Sequence, residues 1–317
     1  MKNLSLTTHE YDTFAENGWI GPFDSGATEE LLLRCRDKSE RIVSEKIANP
    51  MFKRYSVRDW HLVDEDFLTL FKRDEIVARV QSILGHGLKL WRSKIFRTPA
   101  GGGGVGWHQE WGYFNGEEIG NDMPALKPLT FDDKWNISVW VALDDIAIER
   151  SPMVFLNGSH KTRHEIKMVS ITESAFFEDP FLSAESKQAI IEKVNHSQLL
   201  LDIDTTKLLD GVDCEALSLS ELKSVCLQRL QSIKAAVTLP FDADGRDKTV
   251  TMKKGQFVIF SERCMHRSLP NRTPFSRVAV NCRITPTSTE VYPSRSQGHF
   301  TDGSNLDISG HYCVPLD

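Results

Sequence analysis

Apolar residues recur with a helical period over roughly the first eighty positions and with an alternating period after that. Thr7 or Thr8 is placed to cap a short amphipathic helix ending near Gly18. Gly21-Pro22 breaks the chain. Over 27–47, Leu31, Leu32, Ile42, Val43 and Ile47 are spaced along one face and predict a long helix. Two shorter helices are expected at 65–71 and 74–84, before Gly85-His86-Gly87. From Leu88 to Phe96 apolar and polar residues alternate, as in a half-buried strand. Further strands are predicted at 136–143, 153–156, 249–252, 256–260 and 277–285, punctuated by Asp144-Asp145, Asn157-Gly158, Gly255, Pro270 and Pro286. Many short strands in this spacing predict a mainly β fold, a sandwich or barrel with α-helices flanking it.

Residues 160–247 interrupt the strand series. They are polar, carry helical patterns at 184–194 and 218–235, and contain no repeat. The expected organisation is one domain over 1–317: a helical flank at 1–85, a β-core at 86–159 and 248–290, and a helical insertion at 160–247. An insertion of that size over a barrel mouth is expected to build a lid.

Composition narrows the class. Of 317 residues, 40% are hydrophobic and 26% charged, which is ordinary for a globular enzyme or binding protein. A net charge of -6 leaves no footprint for nucleic acid or an anionic membrane. The opening residues, Met1-Lys2-Asn3-Leu4-Ser5-Leu6, lack the apolar run of a signal peptide, and no window has the length of a membrane span, so a cytoplasmic protein is expected. The six cysteines are far apart with no C-x-x-C pair, which fits reduced thiols.

The densest chemical signal is Gly106-Trp107-His108-Gln109-Glu110-Trp111. On a strand, alternate residues share a face, so His108 and Glu110 are expected to point together into the barrel. His266, after the apolar strand at 256–260, is the candidate third ligand. Two histidines and one carboxylate leave three octahedral positions open, which suits iron(II) with a bidentate co-substrate and dioxygen. Zinc accepts the same ligands, and a histidine beside an acid is often only a surface pair. Arg277 follows His266 by eleven residues, far enough to lie on the next strand facing inward. A buried guanidinium needs an anion, and the distal carboxylate of 2-oxoglutarate supplies one, with Ser268 placed to donate to it. Other strings carry less. His160 and His164 have helical zinc spacing without a third ligand, and Gly101-Gly102-Gly103-Gly104 lacks the Lys-Ser/Thr of a phosphate loop.

Taken together, these residues resemble the phytanoyl-CoA dioxygenase superfamily. Within it the chain is most similar to the branch holding the iron halogenases of nonribosomal peptide pathways. The stretches that carry the resemblance are Glu16-Asn17-Gly18-Trp19-Ile20-Gly21-Pro22-Phe23, Leu90-Trp91-Arg92, Trp107-His108-Gln109, Val139-Trp140-Val141-Ala142-Leu143, Gly158-Ser159-His160, Gly255-Gln256-Phe257-Val258-Ile259-Phe260 and Met265-His266. The resemblance implies a double-stranded β-helix (jelly-roll or cupin-like), iron(II) at His108 and His266, and 2-oxoglutarate on Arg277 with Trp140 and Ser268 nearby. Asn115 and Arg283 match halogenase residues near the metal, whereas Lys94 stands where those enzymes carry an acid. Glu110 departs further. The halogenases have a small residue there and bind chloride in the vacated position, and most oxygenases of the family have aspartate. A carboxylate at 110 excludes halide by occupancy and charge, so oxygenation is expected: hydroxylation of an unactivated C–H bond of a small molecule in secondary metabolism. That molecule is an amino acid or natural-product intermediate, either free or tethered to a carrier protein. Desaturation, epimerisation or cyclisation at the same iron is the alternative. Halogenation, a barrel that binds without catalysis, and a zinc hydrolase are weaker ones.

Overall fold

Thr7 starts the first helix by accepting the Glu10 amide on its side chain, while the Glu10 carboxylate takes the Thr7 N–H in return. The computed structural model describes residues 4–51, 54–110, 126–129, 136–173, 177, 179–195, 206–291 and 313–317. Helix α1 (Thr8–Asn17) stops at Gly18, whose φ of 82° suits glycine. Strand β1 (Trp19–Asp24) follows, where Gly21-Pro22 was expected only to break the chain. β1 lies at the edge of its sheet, and the register shifts between Ile20 and Phe23, so the missing Pro22 donor disturbs no inner ladder. Helix α2 (Glu29–Ser44) is shorter than the expected 27–47: Thr28 caps it through the Leu31 amide, and Lys46 beyond it has positive φ. The short strands β2 (Ala48–Asn49) and β3 (Arg54–Tyr55) pair, and α3 (Glu65–Phe71) and α4 (Asp74–Leu84) fall where the pattern predicts them.

The β-core begins with β4 (Leu88–Thr98) and continues through β5 (Leu126–Lys127), β6 (Ile137–Ala142) and β7 (Met153–Leu156). It resumes with β10 (Asp247–Val250), β11 (Gln256–Ser261), β12 (His266–Ser268), β13 (Arg277–Pro286), β14 (Glu290–Val291) and β15 (Val314–Pro315). Between the halves lie β8 (Ile166–Ser170), α5 (Lys187–Asn195), α6 (Leu219–Gln231) and β9 (Lys234–Thr238). The helix expected to run to 235 gives way to β9, whose backbone pairs with β8. Segment 160–247 has an apolar cluster of its own, with Phe181, Ile190, Leu222, Cys226 and Leu230 at its centre.

Two antiparallel sheets face each other, in the order β1-β11-β6-β13-β4-β15 and β10-β7-β12. This is the arrangement of a double-stranded β-helix with flanking helices. Alternation gives the larger sheet two unlike faces. Val278, Val280, Cys282 and Ile284 of β13, with Ile137, Val139 and Val141 of β6, pack on Leu32, Phe67, Leu70, Phe71 and Ile76 of the helices. The opposite face carries Trp140, Ala142, Val258, Phe260 and Ala279, packed against Met153 and Phe155 of the smaller sheet. On that same inner face β13 also places Arg277, Asn281 and Arg283, and a polar set enclosed between two sheets requires partners. The six cysteines are free thiols. Among the described residues no helix is long and apolar enough to cross a membrane.

His61, in a short turn beneath β4, is 2% exposed. Its Nδ1 lies 2.7 Å from Ser93 Oγ and its Nε2 meets no hydrogen-bond partner. Burial pushes its pKa down to about 3. The folded protein therefore keeps His61 neutral, while the unfolded chain takes up a proton near pH 6.5, so this stability is full above that pH and is lost as pH falls towards 3. Denaturation of wild type and His61→Gln at a series of pH values should show a component of about 1.4 kcal/mol per pH unit below 6.5 in wild type alone. Identical slopes would contradict it.

Candidate metal centre

His266 opens β12, and His108 sits directly opposite in an extended segment, the two forming an isolated bridge, while the Ser268 amide donates to the Val105 carbonyl farther along. The His108 amide donates to the His266 carbonyl at 3.0 Å, and the His266 amide to the His108 carbonyl at 2.9 Å. Two such reciprocal bonds define a hydrogen-bonded antiparallel pair, whose side chains leave from the same face. The imidazole centroids stand 4.2 Å apart. Each ring is pinned in the same way, with His108 Nδ1 2.8 Å from the Gly106 carbonyl and His266 Nδ1 2.8 Å from the Cys264 carbonyl. A carbonyl only accepts, so Nδ1 carries the proton and Nε2 keeps its lone pair. Phe155 and Phe260 flank His266. Burial holds both histidines below the usual range, His266 well below it with His108 beside it as the next cause. Both are thus neutral, the state that binds metal.

Glu110 lies two residues on, its amide bonded to the Glu262 carbonyl at 2.9 Å. Its Oε1 accepts from Arg283 Nη2 at 2.6 Å. Arg283 Nε lies 3.3 Å from Glu262 Oε1, and Glu262 is 1% exposed. The structure therefore brings His108 and His266 together and turns the Glu110 carboxylate to Arg283. Among the described residues, no group of three His, Cys, Asp or Glu side chains is gathered closely enough to hold a metal ion. In a metal-free fold the nearest compensating charge for a half-buried carboxylate is that guanidinium.

Arg277 begins β13 on the inner face and is 3% exposed. Its Nη2 donates to Ser151 Oγ at 2.8 Å, and its guanidinium carbon lies 5.3 Å from the centre of the Trp140 ring. Its Nε is buried without an acceptor. Burial lowers its pKa to about 10, which leaves it charged at neutral pH. Ser268 is two residues along β12 from His266, and its Oγ accepts the Val105 amide at 3.0 Å. Lys94, on β4 across from Asn281, holds its Nζ 5.2 Å from the Phe96 ring, and its charge is felt at His108. Asn115 lies outside the described residues.

The model of the family Phytanoyl-CoA dioxygenase (PhyH) matches residues 21–279. The chain belongs to that family. A protein of Stutzerimonas stutzeri described as "Probable alpha-ketoglutarate-dependent hypophosphite dioxygenase" is 30% identical over 105 residues, about a third of either chain. A structure of CytC3 with Fe(II) and alpha-ketoglutarate shares the fold with a TM-score of 0.58, at 20% identity over 99% of this chain and 90% of that one. The alpha-ketoglutarate-dependent epimerase SnoN from nogalamycin biosynthesis gives 0.55 at 12% identity, covering 98% and 95%. Membership makes this chain one of the iron(II)- and 2-oxoglutarate-dependent oxygenases, with dioxygen as the second co-substrate.

The histidine pair and Arg277 fit those groups, whereas the Glu110 carboxylate is engaged with Arg283. A pair of imidazoles with both Nε2 lone pairs held ready is a metal-binding donor set, and a buried guanidinium with an idle Nε fits a carboxylate. Three residues of this phytanoyl-CoA dioxygenase family member escaped the sequence reading. Glu262 and Ser151 gave no local signal, since each acts by contact with a strand distant in the chain. Gln109 did give one, because the alternation that turns His108 inward turns Gln109 outward. Its Nε2 donates to the Arg263 carbonyl at 2.7 Å and the Thr162 carbonyl at 3.2 Å, and its Oε1 accepts the His164 amide at 2.6 Å. Gln109 thereby ties the His108 segment to the start of the 160–247 segment. Gln109→Leu should release the His164 amide, raising local opening by about 2 kcal/mol or roughly 30-fold. Hydrogen exchange at His164 reads this directly, and an unchanged rate would refute it.

Proposed function

We propose that this enzyme hydroxylates an unactivated C–H bond of a small polar molecule, with iron(II) held by His108, His266 and Glu110. The observation that carries the reading is the matched pinning of the two imidazoles by the Gly106 and Cys264 carbonyls. It fixes the tautomer that offers Nε2 and makes no sense for a surface pair. Iron(II), 2-oxoglutarate and dioxygen, when bound, supply the oxidising power; the protein binds and orients.

Arg277 takes the far carboxylate of 2-oxoglutarate, replacing a neutral serine contact by a charge-assisted pair, with Trp140 as the apolar wall beside it. Ser268, whose oxygen already accepts from Val105, retains its O–H to donate to the same carboxylate. Glu110 supplies the negative charge that keeps halide out, so oxygenation is favoured over chlorination. Lys94 brings a cation to the wall near His108 and supports a substrate with an anionic group. The S. stutzeri relative is named for an anionic substrate, which points the same way. The segment 160–247, tied to the His108 strand by Gln109, is read as the lid over the substrate. A small molecule in the cytoplasm is the proposed partner, free in solution and not on a carrier protein, since the acidic chain offers an acidic carrier no basic dock. Desaturation, epimerisation and cyclisation need the same site and differ from hydroxylation in product mass.

Anaerobic titration of the metal-loaded protein tests the co-substrate site. Arg277→Gln should weaken 2-oxoglutarate binding by about 2 kcal/mol or more, roughly 30-fold, and leave Ni(II) affinity unchanged. Succinate release across a panel of amino acids and other small acids then identifies the substrate, and the product should gain one oxygen atom from labelled dioxygen. Wild-type affinity in Arg277→Gln, or a product lighter by two hydrogens, would remove the corresponding half of the reading.

A further inference from the structure

Glu110 has one methylene more than aspartate, and a longer arm lets a carboxylate bring either or both oxygens to a metal. In this chain one of those oxygens is already engaged: Oε1 accepts the charge-assisted bond from Arg283. Arg283 is not a loose surface arginine. It lies in mid-β13, paired across to Arg92 of β4 on one side and Ser138 of β6 on the other. Its guanidinium carbon stands 6.0 Å from the Trp91 ring, and its Nε is 3.3 Å from the carboxylate of the buried Glu262. Glu262 in turn holds Glu110 a second time, through the backbone bond between the Glu110 amide and the Glu262 carbonyl. Two acids thus share one fixed cation, and the segment that bears Glu110 is anchored to one of them.

We propose that Arg283, braced by Glu262, is a positioning residue that keeps one oxygen of Glu110 on itself, so that Glu110 gives the metal a single oxygen. This rests on Glu110 being a ligand, as read above. A second glutamate oxygen would occupy a position that 2-oxoglutarate and dioxygen require, and the arginine prevents this while cancelling part of the charge that would draw both oxygens to the cation. The device explains how a site can use glutamate in place of aspartate without closing itself.

The test uses Co(II) as the probe, because its visible spectrum reports coordination number without turnover. Arg283→Met in the full-length protein should raise Co(II) affinity about tenfold and shift the Co(II) absorption towards higher coordination. The affinity of the Co(II)-loaded protein for 2-oxoglutarate should fall about tenfold. In a Glu110→Ala background the same substitution should leave the spectrum unchanged. Glu262→Gln, which keeps the shape of the side chain, should shift the spectrum in the same direction by a smaller amount, and carries the test if Arg283→Met does not fold. An unaltered spectrum in Arg283→Met and Glu262→Gln, or an equal shift with and without Glu110, overturns the positioning role alone. If Glu110→Ala binds Co(II) as tightly as wild type, the ligand reading itself falls, and this proposal with it.

Discussion

Two backbone hydrogen bonds between His108 and His266 set the geometry on which the whole site depends. These residues are far apart in the chain, and only the closure of one strand against another makes them neighbours. The reciprocal bonding fixes register, and register fixes facing: a slip of one residue would send one imidazole to the opposite side of its strand. Once the pair is formed, the carbonyls of Gly106 and Cys264 settle both ring orientations without help from other side chains. Because the pinning groups are main-chain atoms, the backbone path at Gly106 and Cys264 itself prepares the site.

The larger sheet contributes through its two unlike faces. One is mostly apolar, with Ser93 and Arg97 of β4 bonded to His61 and Glu40 as its polar members, and packs on the N-terminal helices, which makes it a rigid plate. The other bears Arg277, Asn281 and Arg283 on a single strand, each needing an anion or a polar partner in an enclosed space. Among the described residues, Asn281 finds Ser138, Arg283 finds Glu110 and Glu262, and Arg277 finds Ser151 and the Trp140 ring, with the charge of Asp144 also acting on it. Arg283 is held by two carboxylates of its own chain, whereas the geometry around Arg277 suits a carboxylate brought from outside. Gln109, next to His108 in the same extended segment, extends the same framework to segment 160–247, so the histidine pair and the insertion share a fastening.

Much of this was legible beforehand where the signal is local. Thr7 announces α1, the apolar spacing from Leu31 announces α2, and the alternation from Leu88 announces β4. Strand β1 was hidden by Gly21-Pro22, which reads as a break because nothing local says the segment will lie at a sheet edge, where proline does no harm. The helix expected to reach 235 ended early because pairing with β8 outweighs intrinsic helix preference. Glu262 could not have been singled out: an acid in a turn is ordinary until the fold buries it beside an arginine of β13.

By itself the sequence determined the elements with strong period or caps, the two-faced character of the β-strands, the stretches that resemble the family, and the list of side chains able to bind metal or anion. Those properties follow from neighbours within a few residues, where spacing dictates facing. Tertiary structure alone decided which of those side chains meet. It opposed His108 to His266, gave Glu110 to Arg283 and Glu262, and left Arg277 with a serine and an aromatic ring. Such pairings depend on strand order and register between segments that no local spacing relates, and on the rule that a buried charge takes the compensating partner the fold places within reach.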